Sequence, residues 1–260
     1  MTGESPLRVV KLGGRAQSSA ELPGAIAAAW RAAPGTLCVV HGGGDAVSAL
    51  QRRLGSEPAF VGGRRITTVE DIEVLRMSLS GVTNKQLVAA FVAAGLPAVG
   101  LSGEDAGLIA ARPLDEATLG RVGVPADIHA PLLQHLLAGG YLPVISPLAR
   151  DASTSNGSAA LNVNGDDAAA AIAGALGARE LLLVADVAGV LVRGAVVDTL
   201  TVDDAVAAIA DGTAAGGMAA KLQAAIAALE SGVERVRIGD VHALADVERG
   251  TVLLQSRSLV

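Results

Sequence analysis

The chain has almost no aromatic residues, almost no lysine and a single cysteine. Of its 260 residues only 2% are aromatic, namely Trp30, Tyr141, Phe60 and Phe91. So few rings offer no platform on which the bases of a single strand would stack, and the core must be built from Ala, Val, Leu and Ile. One cysteine excludes an internal disulfide and any cysteine-based zinc site. Within the apolar run Leu37-Cys38-Val39-Val40 it reads as a small buried hydrophobe. Positive charge is also short. A net charge of −6 and a pI of about 5.2 leave no basic field for a nucleic-acid duplex or an anionic membrane. The longest apolar stretch, residues 87–101, is broken by Gly95, Pro97 and Gly100. It falls short of the roughly 20 residues that span a bilayer. Residues 1–6 carry neither a basic nor an apolar leader region, so no signal peptide is expected and a cytoplasmic location is the default expectation.

Several sequence signatures are missing as well. No Gly-Lys pair occurs, which removes the phosphate loop of the common NTPases. No GxGxxG follows the first apolar run, which disfavours a dinucleotide-binding dehydrogenase, and no GxSxG elbow supports a serine hydrolase. The four histidines, 41, 129, 135 and 242, do not pair at metal-binding helical spacing. His41 reads as structural.

What remains is strongly apolar, with 51% hydrophobic and 18% charged residues. Short apolar runs ending in glycine recur at residues 7–12, 37–41, 98–103, 142–147, 181–186, 236–239 and 251–254. Such near-continuous runs are the mark of parallel strands buried on both faces. Between them, helical spacing of apolar residues covers 19–33, 45–54, 69–79, 84–94, 130–138, 166–176, 201–210 and 218–230. The alternation predicts an α/β fold, a three-layer sandwich around a mostly parallel open sheet, with ligands at the carboxyl ends of the strands. Two stretches differ. Residues 57–68, rich in Gly and Arg, read as a hairpin or lid. Residues 108–124 read as an antiparallel excursion. Residues 151–158 are small and polar and read as a mobile loop.

Glycine turns and lysines carry the chemistry. Gly13-Gly14 and Gly42-Gly43-Gly44 each follow a strand and precede a helix, where backbone N–H groups and the helix dipole cradle an anion. One such turn also serves merely to bend the chain; two suffice for both ends of a phosphoryl group in transfer. Of 20 basic residues only Lys11, Lys85 and Lys221 are lysine. A chain that uses arginine almost everywhere keeps lysine where a compact ammonium is needed rather than a planar fork. Lys11 abuts Gly13-Gly14, and Lys221 follows Gly216-Gly217-Met218.

These residues resemble the amino acid kinase family, in order and nearly from end to end. The motifs are Val10-Lys11-Leu12-Gly13-Gly14, His41-Gly42-Gly43-Gly44, Gly63-Arg64-Arg65-Ile66-Thr67, Thr83-Asn84-Lys85, Asn162-Val163-Asn164-Gly165-Asp166, the run from Asp186 to Leu191, and Gly216-Gly217-Met218-Ala219-Ala220-Lys221. Within the family the chain is most similar to the branch whose acceptor is N-acetyl-L-glutamate. The resemblance implies ATP as phosphoryl donor, with Mg²⁺ bound through the nucleotide phosphates and no metal site on the protein. It implies that Lys11 and Lys221 stabilise the phosphoryl group and that Asp166 orients both. Gly43, Gly44, Arg65 and Asn162 match positions that hold the acyl amino acid, with Arg65 clamping its α-carboxylate. Gly13, Gly14, Asp186, Val187, Ala188, Gly189, Val190, Leu191, Thr213, Ala214, Ala215 and Gly217 match the nucleotide site. The same resemblance divides the chain into an acyl-amino-acid-binding and dimerisation lobe, 1–177, and a nucleotide lobe, 178–260. Gly165, Ala188, Arg64 and Ala219-Ala220 depart from the residues most common in the family at those places.

The chemistry fits these roles. A carboxylate acceptor is already ionised at neutral pH, so no general base is needed, only in-line positioning and cancellation of charge on the phosphoryl oxygens. Two other readings stay open. One is a kinase for aminoadipate or glutamate on a carrier protein, or for another carboxylate. The other is a non-catalytic regulatory protein on the same fold. No basic rim for a carrier is visible beyond Arg52-Arg53 and Arg64-Arg65. With residues 1–6 ahead of the first expected strand, no ring-forming N-terminal helix is expected, so a homodimer insensitive to arginine is. Its expected interface is the helical stretch 69–94, with Ile72, Leu75, Leu79 and Leu87.

Overall fold

The computed structural model describes residues 6–154, 159–192 and 194–255. In chain order the strands are β1 (Arg8–Leu12), β2 (Leu37–His41), the short hairpin β3 (Phe60–Val61) and β4 (Arg64–Arg65), β5 (Ala98–Gly103), β6 (Ile109–Pro113), β7 (Val122–Ile128), β8 (Leu142–Asp151) and β9 (Ala160–Val163). They continue with β10 (Glu180–Val184), a second small hairpin of β11 (Leu191–Val192) and β12 (Ala195–Val196), β13 (Thr199–Thr201), β14 (Arg235–Gly239) and β15 (Thr251–Leu254). The helices are α1 (Leu22–Ala32), α2 (Gly44–Arg53), α3 (Val69–Leu75), α4 (Asn84–Ala93), α5 (Glu116–Leu119), α6 (Ala130–Ala138), α7 (Gly165–Ala175), α8 (Val202–Ala210) and α9 (Gly216–Glu230). Every strand and helix expected from apolar spacing is present. Of the loop expected at 151–158, residues 155–158 lie outside the described residues.

Among the described residues the main sheet has eleven strands. Its centre, β14-β10-β1-β2-β8-β5, is parallel throughout. β1 lies in the middle, with β10 on one side and β2 on the other. β6 and β7 form the expected antiparallel excursion, and β9 returns antiparallel to β8.

Strand side chains alternate between two cores, and this makes the three layers. Val9, Cys38, Val40, Leu181 and Leu183 face α6, α7, α8 and α9. Val10, Leu12, Val39, Leu182 and Val184 face α1 and α4, where Leu22, Ile26, Trp30 and Phe91 pack. With so few rings, the helix layer is closed by alanine. Ala168, Ala169 and Ala173 of α7 and Ala224, Ala225 and Ala228 of α9 are buried where the two helices pack together.

Helix starts follow their caps. Thr68 and Thr201 each form a reciprocal capping box, with Asp71 and Asp204, and the Asn164 side chain accepts from Asp166 N–H at 2.8 Å. Two expectations for 69–94 change. The helices α3 and α4 are joined by a π-helical stretch, Arg76–Thr83, into one continuous rod. Ile72, Leu75, Leu79 and Leu87, expected at an interface, are buried inside the chain. Their spacing is the same for a core stripe and an interface stripe, and the large apolar residues exposed along the rod are Val69, Met77, Val82 and Val92.

At the amino ends of β1, β10 and β14, opposite the functional site, lies a buried ionic knot. Arg237 is fully buried. Its Nε donates to Glu180 at 2.6 Å, and its other nitrogens donate to the carbonyls of Asp246, Arg249 and Ala243 at 2.8–2.9 Å. Arg8 Nε donates to the second oxygen of Glu180 at 2.7 Å.

Candidate active site

The carboxyl ends of β1 and β2 meet the amino ends of α2, α7 and α9 around a cavity of about 460 Å³. Gly43 and Gly44 enter it from α2, Asn164, Gly165 and Asp166 from α7, and Gly217 from α9. Three helix N-termini aimed at one space make it receptive to anions.

Lys11 sits on the face of β1 that meets α7. Its Nζ is 2.8 Å from Asp166 Oδ1, and Lys221 Nζ is 3.2 Å from Asp166 Oδ2. One carboxylate thus holds two ammoniums, and all three groups are mostly buried. Burial lowers the Lys11 pKa; Asp166 opposes this, and the like charge of Lys221 adds to the fall. Burial also works against the Asp166 carboxylate, but the two ammoniums outweigh it and hold its carboxyl below the ordinary range. The trio thus sets two lysines against one carboxylate beside the cavity.

Two glycines are required by their surroundings. A Cβ on Gly13 would stand 2.8 Å from the Val184 carbonyl oxygen. Gly43 has φ +153°, and a Cβ there would stand 2.6 Å from Leu79. Gly165 leaves room for the lysine, since a Cβ would lie 3.2 Å from Lys11 Cε.

Gly43, Gly44, Arg65 and Asn162 all line this cavity. Arg65 is buried and donates to the Gly44 carbonyl at 2.9 Å, to Ser48 at 2.8 Å and to Gln51, with its guanidinium 4.7 Å from the Phe60 ring centre. Gln51 in turn donates to Asp71 at 2.7 Å. Asn162 donates to Thr67 at 2.9 Å, which ties β9 to the foot of the β3–β4 hairpin. The expected lid at 57–68 is therefore a hairpin packed over the cavity, with its turn at Gly62-Gly63.

The other predicted site residues spread wider. Gly13, Gly14, Asp186 and Lys221 share a small cavity of about 150 Å³. Ala214 and Ala215 line another of about 360 Å³, between the hairpin tip and the start of α9. Thr213 stands beside it in the same loop, its N–H held by Asp211 at 2.8 Å. Val187, Ala188, Gly189, Val190 and Leu191 line none of these cavities. Val190 is buried, its N–H donating to Thr251 at 2.8 Å, and Leu191 is half exposed in β11. His41 is structural, as expected. Its Nδ1–H donates to the Gly42 carbonyl at 2.7 Å and its Nε2 accepts from Asn84 at 3.1 Å. Burial pushes its pKa down to about 4, so the ring is neutral at pH 7.

Sequence reasoning gave no role to the residues that support the site, although Asn164 and Asn84 stand in two of the motifs. Asn164, the cap of α7, has a local signal in its spacing to Asp166. Gln51 and Asp71, behind Arg65, have none. Asn84 donates to the carbonyls of Val144 and Leu101 at 2.9 and 3.3 Å, tying the π-helical rod to β8 and β5.

The model of the amino acid kinase family matches residues 6–240. Acetylglutamate kinase of Roseiflexus sp. (strain RS-1) is 40% identical over 256 residues, covering 98% of this chain and 95% of that protein. Acetylglutamate kinase of Chloroflexus aurantiacus is 41% identical over 242 residues, covering 92% of this chain and 94% of that protein. Among solved structures, a Streptococcus mutans UA159 protein superposes with a TM-score of 0.85 at 29% identity, over 95% of this chain and 98% of that one. Carbamate kinase of Giardia shares the fold, with a TM-score of 0.73 at 16% identity over 97% and 99%. Fold, motif order and relatives together make this chain a member of the amino acid kinase family.

Proposed function

We propose that the chain transfers the γ-phosphoryl group of ATP to the side-chain carboxylate of N-acetyl-L-glutamate, giving N-acetyl-L-glutamyl 5-phosphate, a step of arginine biosynthesis. The observation that carries this reading is the Lys11–Asp166–Lys221 trio beside a cavity lined by Gly43, Gly44, Arg65 and Asn162, in a chain whose relatives bear that activity over nearly their whole length.

In this reading a carboxylate oxygen of the acceptor attacks the γ-phosphorus. The bond from that phosphorus to the β–γ bridging oxygen breaks, ADP leaves with the electron pair, and no proton moves. Lys11 and Lys221 cancel charge on the transferring oxygens while Asp166 fixes their spacing. The Gly13 N–H is held by the Val184 carbonyl at 2.8 Å, so the amides of Gly14 on one side and Gly43-Gly44 on the other face the two ends of the transfer, and Arg65 takes the α-carboxylate. Residues 1–177 form the acceptor lobe and 178–260 the nucleotide lobe, with Asp186 to Leu191, Thr213 to Ala215 and Gly217 around the nucleotide. Mg²⁺ would come with the nucleotide, held through its phosphates, and would supply further charge neutralisation.

Among the described residues no helix is long and apolar enough to cross a membrane. A cytoplasmic location goes with the proposal. So does a homodimer, supported by the exposed Val69, Met77, Val82 and Val92 along the rod.

The test is ADP release with Mg-ATP and N-acetyl-L-glutamate, beside glutamate, aspartate, carbamate and no acceptor. Turnover with acetylglutamate alone is expected, reduced at least about 100-fold in Lys11→Arg, where a planar fork replaces a point charge. No turnover with any of these acceptors sinks the proposal and favours a carrier-bound substrate or a binding protein.

A further inference from the structure

The β3–β4 hairpin carries two adjacent arginines with different partners. Arg65 turns back towards α2. Arg64 reaches across to α7, where its Nη2 donates to Asp167 Oδ2 at 2.8 Å. Asp167 is the neighbour of Asp166, so the hairpin is tied to the helix turn that spaces the two lysines. The Arg64 side chain is mostly covered, and its Nη1 is buried with no hydrogen-bond partner among the described residues. A buried guanidinium donor without an acceptor is costly in a folded chain.

Arg64 also stands where two cavities meet. Together with Gly63 and Asn164 it lines both the 460 Å³ cavity, beside Lys11 and Asp166, and the 360 Å³ cavity bounded by Ala214, Ala215 and Gly216. Of the three shared residues only Arg64 is charged. A phosphoryl group in transfer spreads its charge over three oxygens, and the two lysines approach it from the side of Asp166. A guanidinium can hold a carboxylate through one nitrogen and an anionic oxygen through another, which an ammonium does less well.

We propose that Arg64 is a further catalytic residue. Asp167 anchors it to α7, and its unpaired Nη1 donates to an oxygen of the phosphoryl group as that group passes between the two cavities. Asp167 is then a positioning residue that acts through Arg64. The proposal rests on the phosphoryl-transfer reading above, though not on the identity of the acceptor.

The test uses the full chain and the variants Arg64→Met, Arg64→Lys, Asp167→Asn and the double variant Arg64→Met/Asp167→Asn. Binding of Mg-ADP and of Mg-AMP-PNP is measured by calorimetry, and kcat and both KM values by ADP release. In Arg64→Met, AMP-PNP binding is expected to weaken about tenfold with ADP binding within about twofold, and kcat to fall by about 10- to 100-fold. Arg64→Lys recovers part of this loss. Asp167→Asn moves the same quantities the same way by less, and the double variant is no worse than Arg64→Met. An AMP-PNP to ADP affinity ratio unchanged in Arg64→Met overturns the proposal. So does a rise in acceptor KM alone, which marks a hairpin tether. Should Arg64→Met fail to fold, the same ratio in Asp167→Asn decides. A wild-type chain that binds both nucleotides but does not phosphorylate acetylglutamate overturns the acceptor assignment only, because the nucleotide comparison does not involve the acceptor.

Discussion

At the scale of single residues, the site is a problem of keeping three charges together in a dry place. Asp166→Asn leaves two ammoniums facing each other with no counter-charge. The kcat/KM value, which reports the free enzyme, is expected to fall by about 10²- to 10³-fold. Its alkaline limb carries the sign. In the wild type that limb is expected below the ordinary lysine range, because burial lowers Lys11. Asp166 is the group that opposes this fall, so in Asp166→Asn the limb moves to lower pH still. A limb that stays in place would falsify the assignment. Lys11 and Lys221 were legible in the sequence because arginine stands almost everywhere else. Lys85, the third lysine, is exposed and donates to the Asn84 side chain and the Gly100 carbonyl, at 3.0 and 3.2 Å. The role of Asp166 came from resemblance to a family. The pairing of Arg64 with Asp167 was not legible at all, since 103 positions separate them and no spacing rule reaches that far.

At the scale of elements, the strands and helices were readable because both faces of a parallel sheet are buried and glycine punctuates each turn. The π-helical stretch Arg76–Thr83 was not. Extra residues in a turn shift the apolar stripe out of its helical period, and the shift reads as a break between two helices. Nor did spacing announce that Arg237 lies under the 240–250 turn, fully buried. Arg237→Met removes one partner of the buried Glu180 and leaves three carbonyls without their donor. The expected loss is about 3 kcal/mol, read as a lower urea midpoint. Burial opposes the charge of Glu180, but Arg237 and Arg8 outweigh it and hold its carboxyl below the ordinary range. Its contribution is therefore present above the carboxylate range of the unfolded chain and lost as pH falls through its native value. The midpoint difference between wild type and Arg237→Met should narrow on acidification.

For the whole molecule, the mass in solution decides the assembly. Light scattering is expected to give close to twice 25.8 kDa, and a mass near a single chain would refute the homodimer. Apolar periodicity located the rod and could not say which of its faces is internal, because burial by the chain and burial by a second copy demand the same residues. The central place of β1 has a consequence for synthesis. Its partner β2 follows closely, but Arg8 and Glu180, which face each other across β1 and β10, are 172 positions apart. At the usual 5–20 residues per second on the ribosome, one flank of β1 waits about 10–30 s for its neighbour. For that time the growing polypeptide carries a bare strand edge through the middle of its future sheet. Chaperone capture of translation intermediates should therefore peak before residue 180 emerges and fade once β10 has docked.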